Sequence, residues 1–453
     1  MSKSTKCQIL IIIVLLITLC ILVKFTKDSI DENNMKPGNF GQDSKSSENN
    51  MNNNSKSVDY SAVNEFNVDE EISSGEYSSS KADENAILVD DKANVKISNV
   101  TVEKTGDSDG GDNTSFYGTN SAVMAKDGAN LTLKNITVNT DATGANGVFC
   151  YGGSAITNNS TSDGTTVTIS DSTITTKKGN SGGIMTTGGG TMIASNLTVT
   201  TSGTSSAAIR TDRGGGNVSV NGGTYTTNGQ GSPAIYSTAA IKVSNATLNS
   251  KTSEGVVIEG KNSVEINNCT LEDNNTKLNG KSTTYKNIFL YQSMSGDAAS
   301  GNSSFKVTGS KIITNKGDTL YVTNTTATIY LENNSIVNND ATGNFFRIQK
   351  DSWGNSGSNG GDVTLTLNNQ SAKGNIVVDS ISTLNMEISK NSYYEGTING
   401  DNTAKNISIT LDSDSKIKLT GDSYVSKLVD EDSSYSNIDF NGYKLYVDGN
   451  AIN

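Results

Sequence analysis

Residues Ser206 to Gly229 read SAAIRTDRGGGNVSVNGGTYTTNG. Three strand-like runs follow one another here: Ala208-Ile209-Arg210-Thr211-Asp212, then Val218-Ser219-Val220, then Thr224-Tyr225-Thr226. A glycine turn separates the first run from the second. Gly222 alone kinks the chain between the second and the third. Apolar and polar residues alternate with a period of two, the pattern of a half-buried strand rather than of a helix. The next run, Ala234-Ile235-Tyr236-Ser237-Thr238, starts the same sequence of events again. The stretch is therefore one coil of a repeat, and a coil of this kind buries its apolar side only by stacking on its neighbours.

The repeat extends outward in both directions. The central apolar residue of the first strand recurs as Ile87, Val123, Val148, Ile184, Ile209, Ile235, Val256, Ile288, Leu320, Phe346 and Ile376. The kink of the later strand pair recurs as Asn99, Asn135, Asp171, Asn196, Gly222, Asn245, Asn268, Gly309, Asn333 and Asn369. Every member of that second column is Asn, Asp or Gly, the residue types that accept a left-handed backbone. The same sharp bend is thus expected in each coil. Apolar residues flank it in register, for example Leu131 and Leu133 before Asn135, with Ile136 and Val138 after it.

Composition agrees with a thin stacked rod. Of 453 residues, 33% are hydrophobic, 45 are Gly, 2 are Pro and none is His. The polar excess is Asn, Ser and Thr, which suits a narrow core under a large surface. The net charge of -12 comes without a basic, aromatic-laced stripe, so nucleic acid is excluded as a partner. Cys150 and Cys269 fall about four coils apart, roughly 19 Å at the strand spacing, too far for a disulfide. They are expected as buried small hydrophobes.

These coils resemble the right-handed parallel β-helix of the pectin-lyase-like fold. They are most similar to the adhesin-like surface β-helix proteins of anaerobic bacteria and archaea. The resemblance covers about 61–453 and implies an all-β, single-stranded solenoid of about a dozen coils, roughly 60 Å long. An atypical first coil is expected at Glu70 to Tyr77, and a closing segment at Asn437 to Asp448. The resemblance fixes fold more than function, because the fold hosts lyases, hydrolases and adhesins alike.

Ahead of the repeat, Lys3 and Lys6 precede an apolar run from Ile9 to Val23 that holds Cys20 and lies beside Cys7. Residues 1–27 are expected to be a signal anchor or a signal peptide, which would place the rest outside the membrane. Residues 28–60, rich in Asn, Ser and Lys, are expected to form a flexible tether.

The third and fifth positions of each first strand point away from the core. Those columns contain Arg210, Tyr236, Phe289, Tyr321 and Arg347, then Asp212, Glu259, Tyr291 and Gln349, with Arg213 at the edge. The chain has only three Arg, and all are here. The opposite outward face is instead a threonine column: Thr101, Thr137, Thr173, Thr198, Thr224, Thr247 and Thr270. An exposed stripe of Arg and aromatic residues is expected to bind an extended glycan or a protein surface. The other reading is a face covered by the chain's own loops. Long insertions at Ser154 to Thr165, Ser293 to Gly301 and Asp351 to Gly361 leave one edge of that sheet, where they could wall a groove. The last holds the single Trp, Trp353.

The preferred expectation is a monomeric, non-catalytic, membrane-anchored surface protein that binds an extracellular polysaccharide or protein. The resemblance also implies an enzymatic alternative, a polysaccharide lyase or hydrolase, with Asp212 and Glu259 two coils apart and Arg210 beside them. Their backbones would lie roughly 9.6 Å apart, near the carboxylate spacing of inverting glycosidases. The absence of His removes the commonest general base. A spacer with no ligand is the third reading. No cofactor is expected beyond a weak calcium candidate at Asp107, Asp109 and Asp112, which lacks EF-hand spacing.

Overall fold

The computed structural model describes residues 58–155 and 161–453. It is an all-β solenoid of stacked coils, a parallel β-helix. The first strands of the coils build one 12-stranded sheet, from Ala62–Phe66 to Ile376–Val378. The later two strands of each coil share a 22-stranded sheet that bends along its length. Near the C-terminus two small sheets of four and three strands take over part of the wall.

Register follows the hydrophobic pattern. Ile87, Val123, Val148, Ile184, Ile209, Ile235, Val256, Ile288, Leu320, Phe346 and Ile376 pair in one unbroken column. All are buried in a single continuous core. A slip of one residue would turn the whole set outward, so burial locks the pairing. β-branched side chains suit the pleat and fill the narrow interior. Cys150 and Cys269 lie in this core as free thiols.

The bend column adopts the backbone its composition requires. All ten residues have positive φ, from 48° at Asn369 to 76° at Gly222. Where the bend residue is Asn, its amide often reaches the coil before it. Asn135 donates to Asn99 at 2.6 Å, and Asn268 to Asn245 at 2.7 Å. The turn geometry and the ladder of amides thus reinforce each other at the same position.

The ends differ from the middle. The first coil comprises Ala62–Phe66, Glu70–Ile72 and Gly75–Ser79, so it begins earlier than Glu70. At the other end, Leu445–Val447 pairs antiparallel with Asn450–Ala451, the one antiparallel pairing among the described residues. That reversal turns the last edge away from further parallel stacking. The apolar run Ile9 to Val23, Cys7, Cys20 and the tether up to residue 57 lie outside the described residues. Among the described residues, no helix is long and apolar enough to cross a membrane.

A β-branched residue cannot hold the left-handed bend without strain of about 1–3 kcal/mol. Asn245→Val should therefore lower unfolding free energy by that order in urea titration. Asn245→Gly keeps the bend and loses only exposed amide contacts, so it should cost less than Asn245→Val.

Candidate functional site: a buried acidic clasp beside a polar edge groove

The outward columns of the first sheet do point away from the core, but they do not meet solvent. Leu88, Met124, Phe149 and Met185 are buried in one satellite cluster. Tyr236, Val257, Phe289, Tyr291, Tyr321 and Trp353 are buried in a second. The expected exposed stripe is corrected on this point: the chain covers it with its own insertions. The face is half-open at Arg347, Gln349 and the rungs after them, and toward the other end at Asp90 and Tyr151.

Two covers do this. The first is a segment whose role the repeat pattern hides, residues 105–122, which carries the short helix Asp112–Tyr117. The Thr187 hydroxyl donates to the Phe116 carbonyl at 2.7 Å, and the Tyr60 hydroxyl to that of Tyr117 at 2.8 Å. Gly118, at φ 72°, lies so close that a Cβ would come within 2.7 Å of the Phe149 ring. The second cover is the insertion from Asp351 to Gly361. Trp353 packs on Phe289 and Tyr291 with ring centroids 5.3 and 5.2 Å apart. Below it the wholly buried Lys286 sets its ammonium 4.3 Å from the Phe289 ring centre and 3.9 Å from Glu254. Burial lowers the lysine's pKa.

The residues of the enzymatic reading are enclosed as two neighbouring groups, an Arg210–Asp212 pair and a hydroxyl cluster around Glu259 that feels the charge of Asp212. Arg210 pairs with Asp212 at 2.8 Å, and both are buried. Burial pushes the Asp212 carboxyl up to about 6, with Arg210 opposing the rise. Glu259 is 0% exposed. Its carboxylate accepts the hydroxyls of Tyr236 and Ser293, that of Tyr291 at 3.1 Å, and that of Ser295 at 3.4 Å. Desolvation outweighs these donors and pushes its carboxyl up to about 7. Arg213 stacks 4.1 Å from the Phe116 ring centre and pairs with Asp297 at 2.6 Å. It thereby ties the first cover to the Ser293–Gly301 loop. Near the open end, Arg347 pairs with Asp318 at 2.5 Å and reaches Gln349 at 3.3 Å, whose amide donates to the Tyr321 hydroxyl at 3.0 Å.

The calcium candidate does not assemble. Asp107 accepts the Thr143 N–H at 2.7 Å, Asp109 that of Gly111 at 2.8 Å, and Asp112 opens the helix. Among the described residues no three acidic or cysteine side chains gather into a metal-holding group.

The open space lies beside the face, along the edge where each first-sheet strand hands over to the second sheet. A groove of 670 Å³ runs past Gly214 to Gly216, Thr238, Lys261 to Ser263, Asp297 to Ser300, Asn302 and Ser304. Further along the same edge a second groove of 310 Å³ is lined by Asn324 to Thr326, Ser358, Gly360 to Asp362, Thr383 and Lys405. Two of the three insertions expected to wall a groove do so: Asp297 to Ser300 flank the first, and Ser358, Gly360 and Gly361 the second, whereas Ser154 to Thr165 lines neither and its residues 156–160 lie outside the described residues. Lys261, Asn262, Asn302 and Asp297 were not among the residues singled out from the pattern. The glycine run Gly214 to Gly216, which keeps this edge low, was the available signal.

No protein family, curated protein or solved structure matches this chain.

If the first sheet is covered as described, the single tryptophan sits in an apolar site. Its emission should be blue-shifted and weakly quenched by acrylamide. Trp353→Ala removes the plug from the second cover and should cost about 3–5 kcal/mol. It should also make 351–361 the first site of limited proteolysis.

Proposed function

We propose that the protein is a non-catalytic binding rod whose edge grooves hold an extended, hydroxyl-rich polysaccharide. The observation that carries this reading is the lining of the two grooves. They offer hydroxyls, amides, one lysine and one aspartate each, on the same edge of successive coils. Hydrogen-bonding groups repeating at the strand spacing of about 4.8 Å suit a chain molecule better than a compact ligand. The aromatic residues, by contrast, are occupied with each other under the covers. Recognition in the grooves therefore rests on hydrogen bonds rather than on ring stacking.

The burial of both carboxylates supports a non-catalytic role. Glu259 has no exposed surface, and Asp212 is held by Arg210. A general acid or base must come within hydrogen-bond reach of the substrate. These two reach only protein groups until a cover moves. In this proposal the chain is an exported surface protein of the right-handed, pectin-lyase-like kind, tethered by its N-terminal segment, with the rod projecting from the cell.

A glycan array probed with the wild type and with Lys261→Ala/Asn302→Ala separates the readings. The reading requires wild-type binding to a polymer and a drop of at least about tenfold in the double variant, as expected for losing two polar contacts worth about 1 kcal/mol each. Equal binding by both proteins would move the ligand off the groove. No binding by either would leave a spacer. Release of product from polygalacturonate or a related polymer would instead establish the lyase or hydrolase.

A further inference from the structure

The contacts of Glu259 have a geometry that simple core filling does not need. Tyr236 stands one rung before it and Tyr291 one rung after, and both rings turn their hydroxyls to its carboxylate. Ser293 and Ser295 approach from the loop that follows Tyr291. One wholly buried acid thus gathers four hydroxyls, two from the stack and two from the loop. The same loop supplies Asp297, Ala298, Ala299 and Ser300 to the wall of the first groove. The loop is also held by the Arg213–Asp297 pair, by the Lys261 N–H donating to the Ala299 carbonyl at 2.7 Å, and by the 3.2 Å contact from the Gln292 amide to the Ala298 carbonyl. The loop's own turns are fixed through the same serines. Ser295 N–H donates to the Ser293 hydroxyl at 3.0 Å, and Asp297 N–H to the Ser295 hydroxyl at 3.2 Å.

We propose that Glu259 is the latch of the groove: it positions the Ser293–Gly301 wall and releases it when it ionises. This rests on the groove being the binding site. It adds that the site is set by pH through a residue that never touches the ligand, a positioning residue rather than a catalytic one.

The direction follows from the surroundings of the acid. Asp212 and Asp297 place negative charge near it, and Glu254, two residues before the strand Val256–Glu259, does the same toward Tyr291. Arg210 and Arg213 are already paired with Asp212 and Asp297. Lys261 follows on the same turn but lines the groove. Among the described residues burial thus meets no cation paired with Glu259, and the neutral acid is favoured while the loop is closed, its own O–H then donating to one of the four hydroxyls. An open loop hydrates the carboxyl and returns it toward its ordinary value of 4.5, against about 7 when closed. The closed state therefore binds the proton more tightly. Closure is strongest below about pH 4.5, weakens as pH rises toward about 7, and changes little above that.

Hydrogen–deuterium exchange tests this without any ligand. In the wild type, the protection of peptides spanning 292–301, corrected for intrinsic exchange, should fall at least about tenfold between about pH 4.5 and about pH 7, since linkage permits up to tenfold per unit in that window. Peptides from 351–361 should not share the transition. Glu259→Gln, a neutral shape mimic, should hold 292–301 protected and flat across the range. Ser293→Ala/Ser295→Ala should leave it poorly protected and flat, and so keeps the test open if Glu259→Gln does not fold. A flat wild-type profile, or a transition that persists in either variant, would overturn the latch. Affinity for an array-positive polymer, measured at both ends of the range, reads the groove separately. Binding that is strong but insensitive to pH would retain the groove and reject the latch. Exchange that behaves as expected without any polymer binding would retain the latch and reject the groove.

Discussion

A coil of three short strands has almost no interior of its own. Its apolar side chains leave water only when another coil lies above and below them, so the parallel stacking of like on like is the constraint from which the molecule follows. Stacking demands that each coil turn at the same place and by the same amount. The left-handed bend meets that demand, and it limits the residue there to types that tolerate positive φ. Because ten coils share it, their inward residues superpose: Ile184, Ile209, Ile235 and Val256 sit directly over one another in the core. Everything outside the stack is then free to differ from coil to coil.

That freedom appears on the first sheet. Its outward side carries Phe149, Tyr236, Phe289 and Tyr321, which no soluble rod leaves bare over several hundred square ångströms without a partner. Here the partner is the chain itself. Phe116 and its neighbours lie over one half, and Trp353 lies over the other. Between the halves stand Arg210, Asp212 and Glu259, all buried, the last beneath the Ser293–Gly301 loop. The raised pKa values of Asp212 and Glu259 follow from that enclosure, so a perturbed carboxyl here records burial before it records chemistry.

The legibility of the sequence divides along the same line. The bend column and the Ile209 column were readable because strand period and left-handed tolerance are local properties, written residue by residue. Which way Arg210 and Tyr236 point was readable too, since alternation along a strand fixes it. Whether they met solvent was not, because that depends on where a non-repeating segment such as 105–122 folds back. No periodicity reports that, and Gly118 shows its tight contact with Phe149 only in three dimensions. The edge that carries the grooves was legible from the insertions, whereas its lining by Lys261 and Asn302 was not.

All the long excursions on that side leave from the handover edge, where a strand of the first sheet has ended and one of the second has not yet begun. Lengthening a surface loop there adds little entropic cost and leaves the pitch of the stack untouched. A lineage of such rods could exchange one set of edge loops for another while every rung beneath stayed the same. The molecule separates heritable scaffold from changeable contact surface much as an antibody domain does, and its specificity can drift without passing through an unfolded ancestor.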